Sequence, residues 1–170
     1  MNILKAKEKL NSIKVQNITP IILKELDPTS RTEIKYVIDT ADLIDDDPED
    51  YTKWTSKNVK EDLILGRRFF LFLKGENVIG SIGMKVYENG VVDLYNFGIF
   101  SKYQGNGYGK NSLSTIIRYI LEKYPNISEI HICVYKTSHI ALHLYKTIGF
   151  KIEEILDKMY FMVKKIKESE

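Results

Sequence analysis

The chain has 170 residues, 44% of them hydrophobic and 28% charged, with a formal net charge of +2. That length suits one domain with a substantial core and is short for two, and the small net charge argues against a general nucleic-acid or membrane-surface role. A single cysteine, Cys133, excludes an internal disulfide framework and, with few other soft ligands, argues against a structural zinc site.

The opening "MNILKAKEKL" alternates apolar residues with lysines and has no continuous apolar core, so it does not read as a signal peptide. No apolar run approaches the roughly 20 residues of a bilayer span, and a cytoplasmic location is the simplest expectation. Residues 1–18 read as an N-terminal arm or extra element, 19–166 as a single domain and 167–170 as a tail.

"PIILKEL" (20–26) predicts a short strand ended by Asp27-Pro28. Thr29 or Ser30 then caps a helix running to about Ile44, because Ile34, Val37, Ile38 and Ala41 keep helical spacing. "DTADLIDDDPED" follows as an acidic loop, and Tyr51 to Leu65 reads as a second helix closed by Gly66. From Arg67 the period changes. "RFFLFL" is a continuous apolar run, as expected of a strand buried on both faces. Lys74 to Asn77 turns, the run from Val78 to Val86 alternates, and Asn89-Gly90 signals a hairpin into "VVDLYNFGIF" (91–100). Leu113, Ile116, Ile117, Ile120, Leu121 and Tyr124 form the stripe of an amphipathic helix over 109–124, stopped by Pro125-Asn126. "EIHICVY" (129–135) is a further buried strand, Ser138 can cap a helix ended by Gly149, and "FKIEEI" with "KMYFMVKKI" predicts a terminal hairpin. The order is β-αα-βββ-α-β-α-ββ, an α/β or α+β fold with strand–helix crossovers.

The most informative stretch is "YQGNGYGK" (103–110), where a strand hands over to a helix. Free backbone N–H groups and the positive helix end favour an anion there, and glycines let a diphosphate approach without Cβ clashes. A Walker A loop needs four residues between its glycines and Ser or Thr after the lysine. Here Gly105 and Gly109 enclose three residues, and Asn111 follows Lys110. A dinucleotide fingerprint needs G-x-G-x-x-G and an acid ending the next strand, whereas that strand ends in Val134-Tyr135.

Gln104, Gly107 and Gly109 instead make Gln-x-x-Gly-x-Gly. With "DLYNFGIFSKYQGNGYGK" before it and "SHIALHLYKTIGF" after it, this pattern resembles the acetyl-coenzyme A loop and following hallmark of the GNAT superfamily of N-acetyltransferases, over about residues 20–164. The resemblance implies a mixed, mostly antiparallel central sheet with two early helices, a glycine loop leading into a central helix, and a C-terminal hairpin. It departs at Ser138, which stands where the family usually has Asn.

The resemblance further implies acetyl-CoA as co-substrate, with no metal. The amides of Gly105, Asn106, Gly107, Tyr108, Gly109 and Lys110 would hold the diphosphate behind Gln104. Phe97, Gly98 and Ile99 would pair with the pantetheine amides as with an added strand, on a strand bent by a bulge at Asn96 to Gly98, glycine being the residue that tolerates the distortion. Ser138 would contact the cofactor. A backbone N–H near Phe97 to Ile99 would face the oxyanion, and Tyr145 would be the general acid, although it also continues the apolar stripe of its helix. Asp93 is the candidate base, directly or through water, with Tyr95 on the same face; either can equally be an ordinary exposed strand residue.

The expected activity is direct acetyl transfer to a small-molecule or peptide amine in a ternary complex, by a monomer or homodimer without nucleic-acid or membrane partners. The alternative is a non-catalytic acetyl-CoA-binding module of the same fold. Seven acids between Asp39 and Asp50 suit a cationic acceptor such as a polyamine, aminoglycoside or basic peptide, flanked by Tyr51 and Trp54, or are plain solvated loop. His139 and His143 have a metal-compatible spacing without a third ligand and read as exposed helix residues. Cys133, on a strand face with His131, reads as a buried structural thiol rather than a nucleophile.

Overall fold

A computed structural model describes residues 20–44 and 53–166. The expected N-terminal arm, residues 45–50 of the acidic segment, Tyr51 and the expected tail lie outside the described residues.

The elements are β1 (Ile21–Glu25), α1 (Arg31–Ile44), α2 (Ser56–Ile64), β2 (Arg68–Lys74), β3 (Asn77–Val86), β4 (Val91–Ile99), a 3-10 turn (Ser101–Tyr103), α3 (Tyr108–Lys123), β5 (Glu129–Tyr135), α4 (His139–Ile148), β6 (Lys151–Ile155) and β7 (Met159–Lys165). They form one sheet in the order β1-β2-β3-β4-β5-β7-β6. Every pairing is antiparallel except β4 with β5, which the α3 crossover makes parallel. The expected fold class and element order are both found. Among the described residues no helix is long and apolar enough to cross a membrane.

Burial on both faces explains the unbroken apolar run in β2. Phe69 and Leu71 enter a core with Ile34 and Val37 of α1 and Val59 of α2; Phe70 and Phe72 enter the opposite core with Leu113, Ile116 and Ile120 of α3. Each such ring removed from water stabilises the fold by about 1.5–3 kcal/mol.

Helix ends follow local chemistry. Ser30 Oγ accepts the Glu33 amide at 3.2 Å, so Ser30 rather than Thr29 starts α1. The second helix starts later than its sequence pattern suggests, because Thr55 takes the cap position and its amide donates to Asn58 Oδ1 at 2.9 Å. The Asn89-Gly90 hairpin is present as a longer loop, with the Tyr87 amide donating to the Val91 carbonyl at 2.9 Å.

Candidate active site

β4 carries the feature that opens the sheet. It pairs with β5 through Leu94↔Ile132 and no farther, although both strands continue. Against β3 the register slips between Ser81↔Gly98 and Gly83↔Tyr95, so β4 holds one extra residue, and Asn96 takes a left-handed φ of 47°. The expected bulge is therefore present, but with a different residue absorbing the dihedral. Asn tolerates this conformation better than most side chains. Gly98 is needed for space: a Cβ there would lie 2.8 Å from Thr40 Cγ2 on α1.

Bending β4 away from β5 leaves a cavity of 1310 Å³ between them. Its walls include Phe97, Gly98 and Ile99 of β4, Cys133 and Val134 of β5, and the N-terminal half of α4. The β4 edge past Leu94 faces it without a strand partner, so backbone groups there are free to bond an extended ligand.

The glycine loop closes one end of the cavity, contributing Gln104, Gly105, Gly107, Gly109 and Lys110. Gly105 and Gly107 both have φ of 79°, in the left-handed region where a side chain is strained. The amides of residues 105–110 have no backbone acceptor among the described residues, and the first helical bond here is Asn111 to the Gly107 carbonyl at 3.2 Å. This is a set of donors at a helix N-terminus, the arrangement that suits a diphosphate.

Other side chains of the motif do something else. Gln104 folds back and its Nε2 donates to the Ile99 carbonyl at 2.7 Å, bracing the loop against β4. Asn106 donates to the Gln104 carbonyl at 3.1 Å and lies outside the cavity wall. Tyr108 also lies outside it: its hydroxyl accepts from Lys74 Nζ, and Lys74 stacks on its ring. Neither side chain is placed to meet a ligand in the cavity. Gly109 admits Leu144 of α4, whose Cδ2 would stand 3.4 Å from an added Cβ.

Ser138 is at the N-cap of α4 and lines the cavity. On that helix Tyr145 is buried at 5% exposure yet also lines the cavity, with its ring 6.4 Å from Phe97 and 6.0 Å from Phe150. Its two sequence readings are thus both present, an apolar-stripe position and a cavity-facing phenol. Burial pushes the phenol far above its ordinary value and keeps it protonated. His139 and His143 are exposed on the same helix.

At the other end, Asp93 faces the cavity. Its Oδ2 accepts the Tyr87 hydroxyl at 3.0 Å, which pushes the phenol upward. His131, its register partner on β5, has Nδ1 3.5 Å from Asp93 Oδ1. Tyr95 lies across Gly83 with the Arg67 guanidinium 5.2 Å above its ring, and burial, then the Asp62 charge, drives its phenol up. Trp54 also lines this end and meets Phe69 edge-on at 6.3 Å.

Cys133 corrects its sequence reading. It is exposed and lines the cavity, because the strand that would cover it has bent away. Partial burial, then the Asp93 charge, raises the thiol, which disfavours the thiolate a nucleophile needs. Sequence reasoning missed Tyr87, Arg67 and the Asp93–His131 contact. Strand alternation puts Asp93 and Tyr95 on one face, but the parallel register that adds His131 is a long-range pairing.

Comparison with known proteins agrees with this fold. The model of the acetyltransferase (GNAT) family matches residues 36–150, more than half of the chain. The spermine/spermidine N(1)-acetyltransferase of Bacillus subtilis (strain 168) is 34% identical over 70 residues, which are 41% of this chain and 45% of that one. The match thus spans less than half the length of that curated relative. A GNAT family acetyltransferase of Elizabethkingia anophelis, solved with acetyl-CoA bound, superposes with a TM-score of 0.65 at 15% identity, over 86% of this chain and 98% of that one. The spermidine/spermine N-acetyltransferase SpeG of Vibrio cholerae, solved in mutant forms, gives 0.67 at 15% identity, over 85% and 93%. At these identities the structures show the fold alone. With the family match over residues 36–150, this chain belongs to the GNAT acetyltransferase family.

Proposed function

We propose that the protein is an acetyl-CoA-dependent N-acetyltransferase that moves an acetyl group to a primary amine by direct attack in a ternary complex. One observation carries this reading: a single cavity runs from the unpaired amides of the glycine loop, along the free edge of β4, to Tyr145 and Asp93. In this reading the loop amides and Lys110 hold the cofactor's diphosphate, and Phe97 to Ile99 pair with its pantetheine arm. Ser138 borders the same path. The bound cofactor supplies the thioester; the protein supplies position, donors and proton transfer.

A primary ammonium group, with a pKa near that of lysine at about 10.4, is neutral to roughly four parts in ten thousand at pH 7. Asp93 receives the proton it must lose. The amine nitrogen would then bond to the thioester carbon while a β4 amide near Phe97 to Ile99 stabilises the oxyanion; as the oxyanion collapses the C–S bond breaks, and the second proton on the nitrogen ends on the departing sulfur. Tyr145 donates a hydrogen bond to the departing thiolate. Because burial raises its phenol above an ordinary thiol, this bond stabilises the leaving group without full ionisation of the tyrosine.

We assign the acceptor to cationic amines, polyamines first. The Bacillus relative acts on spermine and spermidine by its name, and the segment 39–50 is rich in acids. Asp39 is paired with Lys35 at 2.7 Å. An enzyme using acetyl-CoA in this way belongs in the cytoplasm.

The test is acetyl-CoA binding by calorimetry, followed by thiol release over spermidine, an aminoglycoside, amino acids and a basic peptide. Binding with release to at least one amine is expected. Binding with no release to any of them favours the non-catalytic module, and tight ATP or NAD binding in place of acetyl-CoA contradicts the proposal.

A further inference from the structure

We propose that His131 is a positioning and proton-relay residue that passes the acceptor amine's proton from Asp93 to Glu129; the inference rests on the reading of Asp93 as base. Because β4 and β5 are parallel and Asp93 is paired in register with His131, the two side chains stand together on one face. Glu129 precedes His131 by two residues and shares that face.

The imidazole sits between two carboxylates. Its Nε2 is 2.8 Å from Glu129 Oε2, and its Nδ1 is 3.5 Å from Asp93 Oδ1. An ionised carboxylate only accepts, so the shorter contact assigns the proton of the neutral ring to Nε2 and leaves the Nδ1 lone pair toward Asp93. The Phe161 ring on β7 holds the imidazole edge-on at 5.0 Å.

The seated amine, rather than exposure, gives the route a direction. The Asp93, His131 and Glu129 side chains are 42%, 19% and 35% exposed. An amine seated on Asp93 covers its path to water from the cavity, and Asp93 Oδ2 already holds the Tyr87 hydroxyl. The remaining oxygen, Oδ1, is the one beside His131. The ammonium gives a proton to Asp93 and becomes the attacking amine. That proton moves to His131 Nδ1, and the imidazolium releases its Nε2 proton to Glu129 and then to water. One proton leaves the amine and one reaches solvent; His131 is left as its Nδ1–H tautomer and regains the Nε2–H form by proton exchange with water before the next turnover.

Among the described residues, other titratable or charged groups around this line include Lys85 of β3, opposite Asp93 with its Nζ over the Tyr87 ring, Arg67 just before β2, whose charge acts on the Tyr87 phenol, and Cys133 farther along β5. From β7, Lys165 stands opposite Glu129 in register and has its Nζ 3.9 Å from Glu153 Oε1.

The test joins two readouts on the whole chain. The ¹³C signal of the Asp93 carboxyl, followed against pH, shows a second inflection as His131 changes charge, and His131→Gln removes it. In thiol release with acetyl-CoA and spermidine, or another amine of the panel, His131→Gln and Glu129→Gln lower kcat about 10- to 100-fold. The KM for acetyl-CoA stays within twofold, and added imidazole restores rate to His131→Ala. A single inflection, a His131→Ala rate within twofold of wild type, or a folded, slow His131→Ala unaffected by imidazole overturns the relay. An impaired Asp93→Asn beside a fully active His131→Ala removes the relay alone. A fully active Asp93→Asn, or no release with any amine, removes the underlying reading with it.

Discussion

Gly80 and Gly98 face each other across β3 and β4 so closely that a Cβ on Gly80 would lie 2.0 Å from the Gly98 carbonyl oxygen. The contact sits beside the Asn96 bulge, where β4 turns away from β5. The strand can bend there only because β3 offers no side chain. Gly80→Ala must push backbone against backbone, and we predict a loss of roughly 1–3 kcal/mol in urea unfolding. Acetyl-CoA affinity should fall in the same variant, because the displaced segment is the free edge itself. Unchanged affinity in a destabilised Gly80→Ala protein would separate the bulge from the cofactor site.

Tyr145→Phe keeps the ring that packs on Phe97 and Phe150 and removes only the hydroxyl. The variant should fold normally and bind acetyl-CoA as wild type, while kcat drops roughly 10²-fold. Steady-state kinetics beside calorimetric binding separate these effects. Full activity in the variant would leave Tyr145 as a core residue only.

Two buried phenols set the alkaline limit of the fold. Burial raises both Tyr145 and Tyr95, with the Asp62 charge adding to Tyr95. In the unfolded chain both ionise near pH 10, whereas the folded protein holds their protons. Their contribution is therefore complete below about pH 10 and is lost above it, by about 1.4 kcal/mol per pH unit for each tyrosine. Urea unfolding between pH 9 and 11 should show this slope, and Tyr145→Phe should reduce it by one proton's worth.

Cys133 lies on the cavity wall, where a covalent acetyl-enzyme could be imagined. Its raised thiol argues otherwise. We expect Cys133→Ser to keep at least half of wild-type kcat, and initial-rate plots for the two substrates to intersect rather than run parallel. Parallel lines, with loss of activity in Cys133→Ser, would establish an acetyl-cysteine intermediate instead.

The sheet and helices were legible because burial writes its period into the chain: the unbroken run of β2 faces two cores, and the stripe of α3 faces one. The glycine loop was legible from its spacing, yet individual roles inside it were not. Gln104 matches the motif and turns its amide to Ile99, and Tyr108 turns to Lys74, because each finds a nearer partner within the fold. Gly98 suggested the bulge for the wrong reason: Asn96 carries the dihedral, and Gly98 makes room for Thr40. The contacts of Asp93 with Tyr87 and His131 depend on a hairpin turn and a parallel register. Neither leaves a local signature in sequence.

The most direct test of acetyl transfer is a single-turnover experiment that mixes the acetyl-CoA complex with spermidine and follows free thiol and N-acetylated amine together. Both should appear at one rate and in equal amounts, with no acetyl group found on the protein. Thiol release without acetylated amine, or stable acetyl-CoA binding with neither product from any amine of the panel, would contradict it.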